Sequence, residues 1–136
     1  MTNETESGTG TGTGPGRGTE TGTGTGTGTA PGIVVAQTAI DDALKAGELA
    51  RGAVEMRLAA CAHIDPPVTA VYRWKGAVET ATEWRVSYKT TRERLPALTE
   101  WVGTAHSYDV PEWIVLPVST GSAAYLSWVA GETTPE

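Results

Sequence analysis

The sequence predicts an α+β fold: a ferredoxin-like split β-α-β sandwich, ordered β-α-β-β-α-β, with one further helix at the C-terminus. Three observations carry it. The runs Val68 to Trp74 and Glu83 to Lys89 both alternate with period two. Lys75-Gly76 between them supplies a turn, so the pair reads as a hairpin. On either side of this hairpin lies a stretch of helical periodicity accompanied by a short apolar run.

In chain order, Ile33-Val34-Val35-Ala36 reads as a buried first strand. Thr38 or Asp41 then caps a helix to about Leu58, with Asp41 and Asp42 at its positive end. Ala46, Leu49, Ala50, Ala53 and Met56 recur at helical spacing and form its face to bury. Gly47 and Gly52 each weaken this helix by about 0.5–1 kcal/mol relative to Ala, so packing must hold it. Arg57 to Ile64, then Asp65-Pro66-Pro67, lead into the hairpin. There Val68, Ala70, Tyr72 and Trp74 share one face of the outgoing strand, and Trp84, Val86 and Tyr88 one face of the return. Thr90 or Thr91 opens a second helix to about Gly103, regular from Arg94 or Leu95 because Pro96 belongs in its first turn. Leu95, Leu98, Trp101 and Val102 make its stripe. His106 to Pro111 is a loop, Trp113 to Leu116 the fourth strand, and Pro117 its end. Ser122 caps the last helix, whose Tyr125, Leu126, Trp128 and Val129 pack back.

The chain has 136 residues, of which 39% are hydrophobic, and a net charge of −6. The apolar deficit is local. Residues 1–31 are dominated by a Thr-Gly repeat with nothing to bury, and read as a disordered tail. Residues 32–130 have the composition of one folded domain, and residues 131–136 are expected to fray. A mildly acidic domain without a basic run argues against nucleic acid or membrane as partner. One cysteine, Cys61, forms no internal disulfide, and with no signal-peptide pattern a cytoplasmic setting fits. Both helices of a split β-α-β unit lie on one face of its sheet. The opposite face then lacks cover, and the long hairpin projects as a ribbon that is marginal alone in water. An oligomer is expected.

Several short runs occur together in one order: Arg57-Leu58-Ala59-Ala60-Cys61, Val71-Tyr72-Arg73-Trp74-Lys75-Gly76, Lys89-Thr90-Thr91, Tyr108-Asp109-Val110-Pro111-Glu112, Leu116-Pro117-Val118 and Tyr125-Leu126-Ser127-Trp128. In this register they resemble the CutA, or divalent-cation tolerance, family over about Ile33 to Val129. The resemblance implies a homotrimer built by edge-to-edge pairing of the hairpins. It also implies likeness to the PII signalling trimers, which bind small ligands between subunits, and a connection with tolerance of divalent metals, chiefly copper. The Thr-Gly tail is no part of the family pattern.

Three sets of residues are candidates for chemistry. Cys61 and His63 are i and i+2 on a strand, so their side chains leave the same face. Thiolate and imidazole suit copper or zinc, but two ligands do not close a tetrahedral site. Cysteine is also a small buried hydrophobe, and His63 stands where the family commonly has Asn. His106 is the second set. The resemblance implies a copper site of one cysteine and two histidines; carried over, these positions are Gln37, Ala105 and His106, so one ligand of three survives. The third set is a cleft between subunits, for which the resemblance implies Lys89, Arg73, Trp74, Tyr108 and Glu112 as residues near the interface. A cation beside an aromatic wall there suits a small anionic or zwitterionic ligand; interface salt bridges are the plainer reading.

No nucleophile elbow, HExxH, P-loop or catalytic carboxylate pair occurs, so no catalytic residue and no enzyme is expected. No cofactor is required, with Cu²⁺ or another divalent cation as candidate ligand. The expected partners are further copies of the chain, a small molecule between them, and a protein partner that the residues leave unnamed. Metal tolerance, PII-like sensing and a trimeric scaffold are the three functional readings.

Overall fold

A computed structural model describes residues 27–29 and 32–135. The strands are β1 (Thr27–Thr29), β2 (Ile33–Ile40), β3 (Cys61–Ile64), β4 (Val68–Trp74), β5 (Ala77–Thr91), β6 (Ile114–Pro117) and β7 (Thr120–Ser122). The helices are α1 (Ala43–Glu55), α2 (Leu95–Ala105) and α3 (Ala123–Glu132). The main sheet is antiparallel in the order β3-β5-β2-β6, with β4 paired to the distal part of β5. This is the α+β, split β-α-β arrangement expected from the sequence.

Alternation sorts the strand residues onto two faces. On one face Val34, Ala36, Thr38 and Ile40 of β2 lie opposite Thr90, Tyr88, Val86 and Trp84 of β5. Ala46, Leu49, Ala50 and Ala53 of α1 and Leu98 and Val102 of α2 close over this face as the main core. The Tyr88 hydroxyl donates to the Leu49 carbonyl at 2.8 Å, tying sheet to helix at full burial. On the opposite face, α3 covers one end, where Val129 packs with Ile33 and Ala60. The rest of that face presents Gln37, Ser87, His63, Cys61, Lys89, Ile114 and Leu116, with Ile114 and Leu116 exposed.

Several boundaries differ from those expected. The first strand runs to Ile40, not Ala36, because Thr38 is fully buried within it. Thr38 is therefore no helix cap, and neither is Asp41. Asp42 caps α1, its carboxylate accepting from the Lys45 amide at 2.9 Å. Met56 was placed on the buried face, yet it is 51% exposed. The helix has already ended there: Leu58 N–H donates to Ala53 O and Arg57 N–H to Val54 O. That is a Schellman turn, with Arg57 in the left-handed position at φ 60°. Thr90 and Thr91 finish β5 rather than opening α2, and the Thr91 hydroxyl accepts from the Arg94 amide. The helix α2 starts at Leu95 with Pro96 in its first turn and runs past Gly103 to Ala105. Ser122 caps α3 as expected, accepting from the Tyr125 amide. The helix continues through Glu132, and Thr133 is buried with its hydroxyl on Val129 O, in place of fraying from Gly131.

Within the Thr-Gly stretch, Thr27–Thr29 pairs as a strand with Thr120–Ser122. The remainder of the expected disordered tail lies outside the described residues.

The hairpin turn is made by Lys75 and Gly76 at φ 50° and 84°. Two successive positive φ values match the type I′ turn that suits the twist of paired strands. From Ala77 to Glu83, β5 pairs only with β4, so this part of the hairpin stands outside the sheet as a two-stranded ribbon.

Candidate functional sites

The uncovered sheet face brings Cys61 and His63 together. Cys61 lies opposite Lys89 in the β3–β5 ladder, and His63 lies opposite Ser87. The Cys61 sulfur is 3.8 Å from His63 Nε2. Lys89 Nζ lies 3.1 Å from His63 Nδ1. An ammonium has only protons to offer, so it donates, and the neutral ring then carries its own proton on Nε2, toward the sulfur. Burial and the Lys89 charge lower the His63 pKa, while Asp65 partly opposes them. On the next strand, Gln37 Nε2 donates to the Ser87 hydroxyl at 3.1 Å. At the covered end of the same face, burial and Cys61 raise the Tyr125 pKa to about 12.

Lys89 therefore stands beside the candidate metal ligands, while the cleft expected for it lies between subunits. The register carries this: Lys89 and Cys61 are cross-strand partners, a relation that needs the pairing of two strands far apart in the chain. Its ammonium holds the Nδ1 lone pair of His63 and repels a cation at that nitrogen. A metal held by Cys61 and His63 must therefore displace Lys89 from Nδ1.

His106 is engaged at both ring nitrogens. It is buried at the C-terminus of α2, with Nε2 2.9 Å from the Ala39 carbonyl and Nδ1 accepting from the Tyr108 amide at 3.1 Å. A carbonyl only accepts and an amide N–H only donates, so Nε2–H is the tautomer. This leaves no ring lone pair for a metal, and His106 holds the loop that carries Tyr108. Among the described residues, no three or more of His, Cys, Asp and Glu are placed to hold a metal ion.

A cleft of about 590 Å³ lies between the ribbon and the loop after α2. Of the residues expected at a cleft between subunits, Trp74, Tyr108 and Glu112 line this cleft within one chain. Arg73 is not among its lining residues. Asp41, Glu83 and Asp109 are lining residues that the sequence reading missed. The Tyr108 hydroxyl donates to Glu83 Oε2 at 2.9 Å, joining loop to ribbon. Burial, followed by the Glu83 and Asp41 carboxylates, pushes the Tyr108 pKa well above its usual value. Lys75 Nζ stands 5.8 Å from the Trp74 ring centroid at the ribbon tip.

The sequence profile of the CutA1 divalent ion tolerance proteins matches residues 33–132. The chain belongs to this family. A "Protein CutA homolog" of Xenopus laevis is 45% identical over 91 residues, 67% of this chain and 60% of that protein. The chain thus spans well under two thirds of the curated relative's length. Among solved structures, CutA from Synechococcus elongatus superposes with a TM-score of 0.78 at 35% identity, covering 81% of this chain and 97% of that one. A second structure of Synechococcus elongatus CutA, described as complexed with a Bis-Tris molecule, gives 0.73 at 36% identity over 78% of this chain and 98% of that one. The CutA1 proteins are named for divalent ion tolerance and not for a catalysed reaction. Among the described residues, no helix is long and apolar enough to cross a membrane.

Proposed function

We propose that this chain acts without catalysis as a homotrimeric, cytoplasmic metal-tolerance protein that binds copper or another divalent cation through Cys61 and His63. One observation carries the metal reading: a half-buried thiol beside Tyr125 and an exposed imidazole stand 3.8 Å apart on the sheet face where the cover of α3 ends. These donors suit copper and zinc. One chain supplies two ligands, so other copies of the chain, meeting on that face, complete the set. Exposed Ile114 and Leu116 on the same face and the exposed apolar residues of the ribbon support self-association. The test is a Cu²⁺ and Zn²⁺ titration with sedimentation of the same samples. Cys61→Ser and His63→Ala each weaken binding by roughly tenfold or more, whereas His106→Gln leaves it unchanged. Equal affinity in all four proteins removes these ligands, and a monomer at micromolar concentration removes the trimer.

A second reading is a PII-like sensor that takes a small molecule in the cleft beside the ribbon. The cleft itself favours it, and a solved relative is described as complexed with Bis-Tris. Its size suits a small organic ligand.

A further inference from the structure

The lining of the cleft selects a charge. Asp41, Glu83, Asp109 and Glu112 contribute carboxylates, while among the described residues no lysine or arginine lines it. Tyr72, Trp74 and Tyr108 contribute aromatic surface. Like charge repels an anion from such a space, whereas a cation gains from the carboxylates and from the ring faces. We propose that the cleft binds a small organic cation, an ammonium or guanidinium compound with an apolar body. This deepens the sensor reading and rests on it.

Geometry separates an organic cation from a metal ion. A hard divalent cation needs several oxygens converging at about 2.0–2.6 Å. Here no three acidic groups gather in that way among the described residues, and Glu83 is already held by the Tyr108 hydroxyl. Carboxylates spread around aromatic walls fit a charge carried on an extended organic body. The pKa of Tyr108 is raised first by burial and then by the hydrogen bond and charge of Glu83, with a smaller part from Asp41. Lys75 shows the preference within the molecule, with its ammonium 5.8 Å from the Trp74 ring centroid.

The test uses the full chain and calorimetric titration with benzyltrimethylammonium, butylguanidinium and benzoate. Both cations bind, benzoate does not, and added salt weakens binding. Trp74→Ala and Glu83→Gln each weaken cation binding roughly fivefold to thirtyfold. Trp74 is 48% exposed, and far-ultraviolet circular dichroism checks that its variant is folded. Benzoate binding without cation binding overturns the cation and leaves the cleft as a ligand site. Binding of none of the three overturns both the cation and the sensor reading on which it rests. Cation binding untouched by Trp74→Ala and Glu83→Gln places it elsewhere and overturns the assignment.

Discussion

From Trp84 to Thr91, β5 is bonded to β2 along one edge and, over Val86 to Lys89, to β3 along the other. From Ala77 to Glu83 it has β4 alone. The alternation of side chains is continuous through both halves, yet their surroundings are opposite. In the root, Val86, Tyr88 and Thr90 are wholly buried under α1 and α2. At the tip, Val78 is 65% exposed and Val71 on the facing strand 67%. Period two says that a strand has two faces; it says nothing about which face another element covers. Cover at the root comes from segments far away in sequence. At the tip only another molecule can provide it.

The largest effect is expected where cover is complete. Tyr88→Ala removes a buried ring and its bond to Leu49, and lowers unfolding stability by about 3–5 kcal/mol in urea titration. A loss below about 1 kcal/mol would show that the root is not the anchor of the sheet. The covering helix supplies the next test. A Cβ on Gly52 falls 2.6 Å from Trp101 Cζ2, while nothing lies within 4 Å of a Cβ on Gly47. Gly52→Ala therefore costs about 1–2 kcal/mol through forced movement of Trp101, although alanine is the better helix former. Gly47→Ala stabilises by about 0.5–1 kcal/mol. Equal gains at both positions would mean that α1 and α2 do not press together at Gly52.

At the tip, Val78→Ser changes the folding stability of the single chain by less than about 0.5 kcal/mol, but shifts sedimentation toward smaller species. Unchanged association would take the ribbon out of the interface. The smallest effect belongs to the uncovered face of the root. His63 has a folded pKa below its ordinary 6.5. In the window between those two values the unfolded chain binds more protons, so stability declines as the pH falls below about 6.5 and levels off beneath the folded value. His63→Gln flattens this part of the pH profile. A dependence of opposite sign would mean that Asp65 outweighs both burial and Lys89 at the imidazole.

The fold was readable because its signals are local. The Lys75-Gly76 turn, the Ser122 cap, the Pro96 start and the helical stripes each reside within a few residues. The errors occurred where a local motif met a distant partner. Thr38 has the chemistry of a cap, but pairing with Val86 keeps it in the strand. Met56 continues the helical stripe, but the turn at Arg57 stops the helix beneath it. The candidate sites were legible as residue types and less so as groups. Cys61 and His63 share a face through simple alternation. Lys89 joined them only through β3–β5 register, and Asp41, Glu83 and Asp109 reached the cleft only through the packing of β2, the ribbon and the loop after α2. His106 has a metal ligand's side chain, and only its two hydrogen bonds reveal that both nitrogens are in use.

The length of β5 has a consequence for how copies of the protein meet. Beyond the sheet, Ala77 to Glu83 at about 3.4 Å each extend roughly 24 Å, whereas a compact domain of about 100 residues has a radius of gyration near 13 Å. The tip therefore projects from the body with Val71, Trp74 and Val78 exposed on it. In the homotrimer proposed above, a diffusing neighbour meets these apolar side chains early, and the ribbon is where assembly would begin.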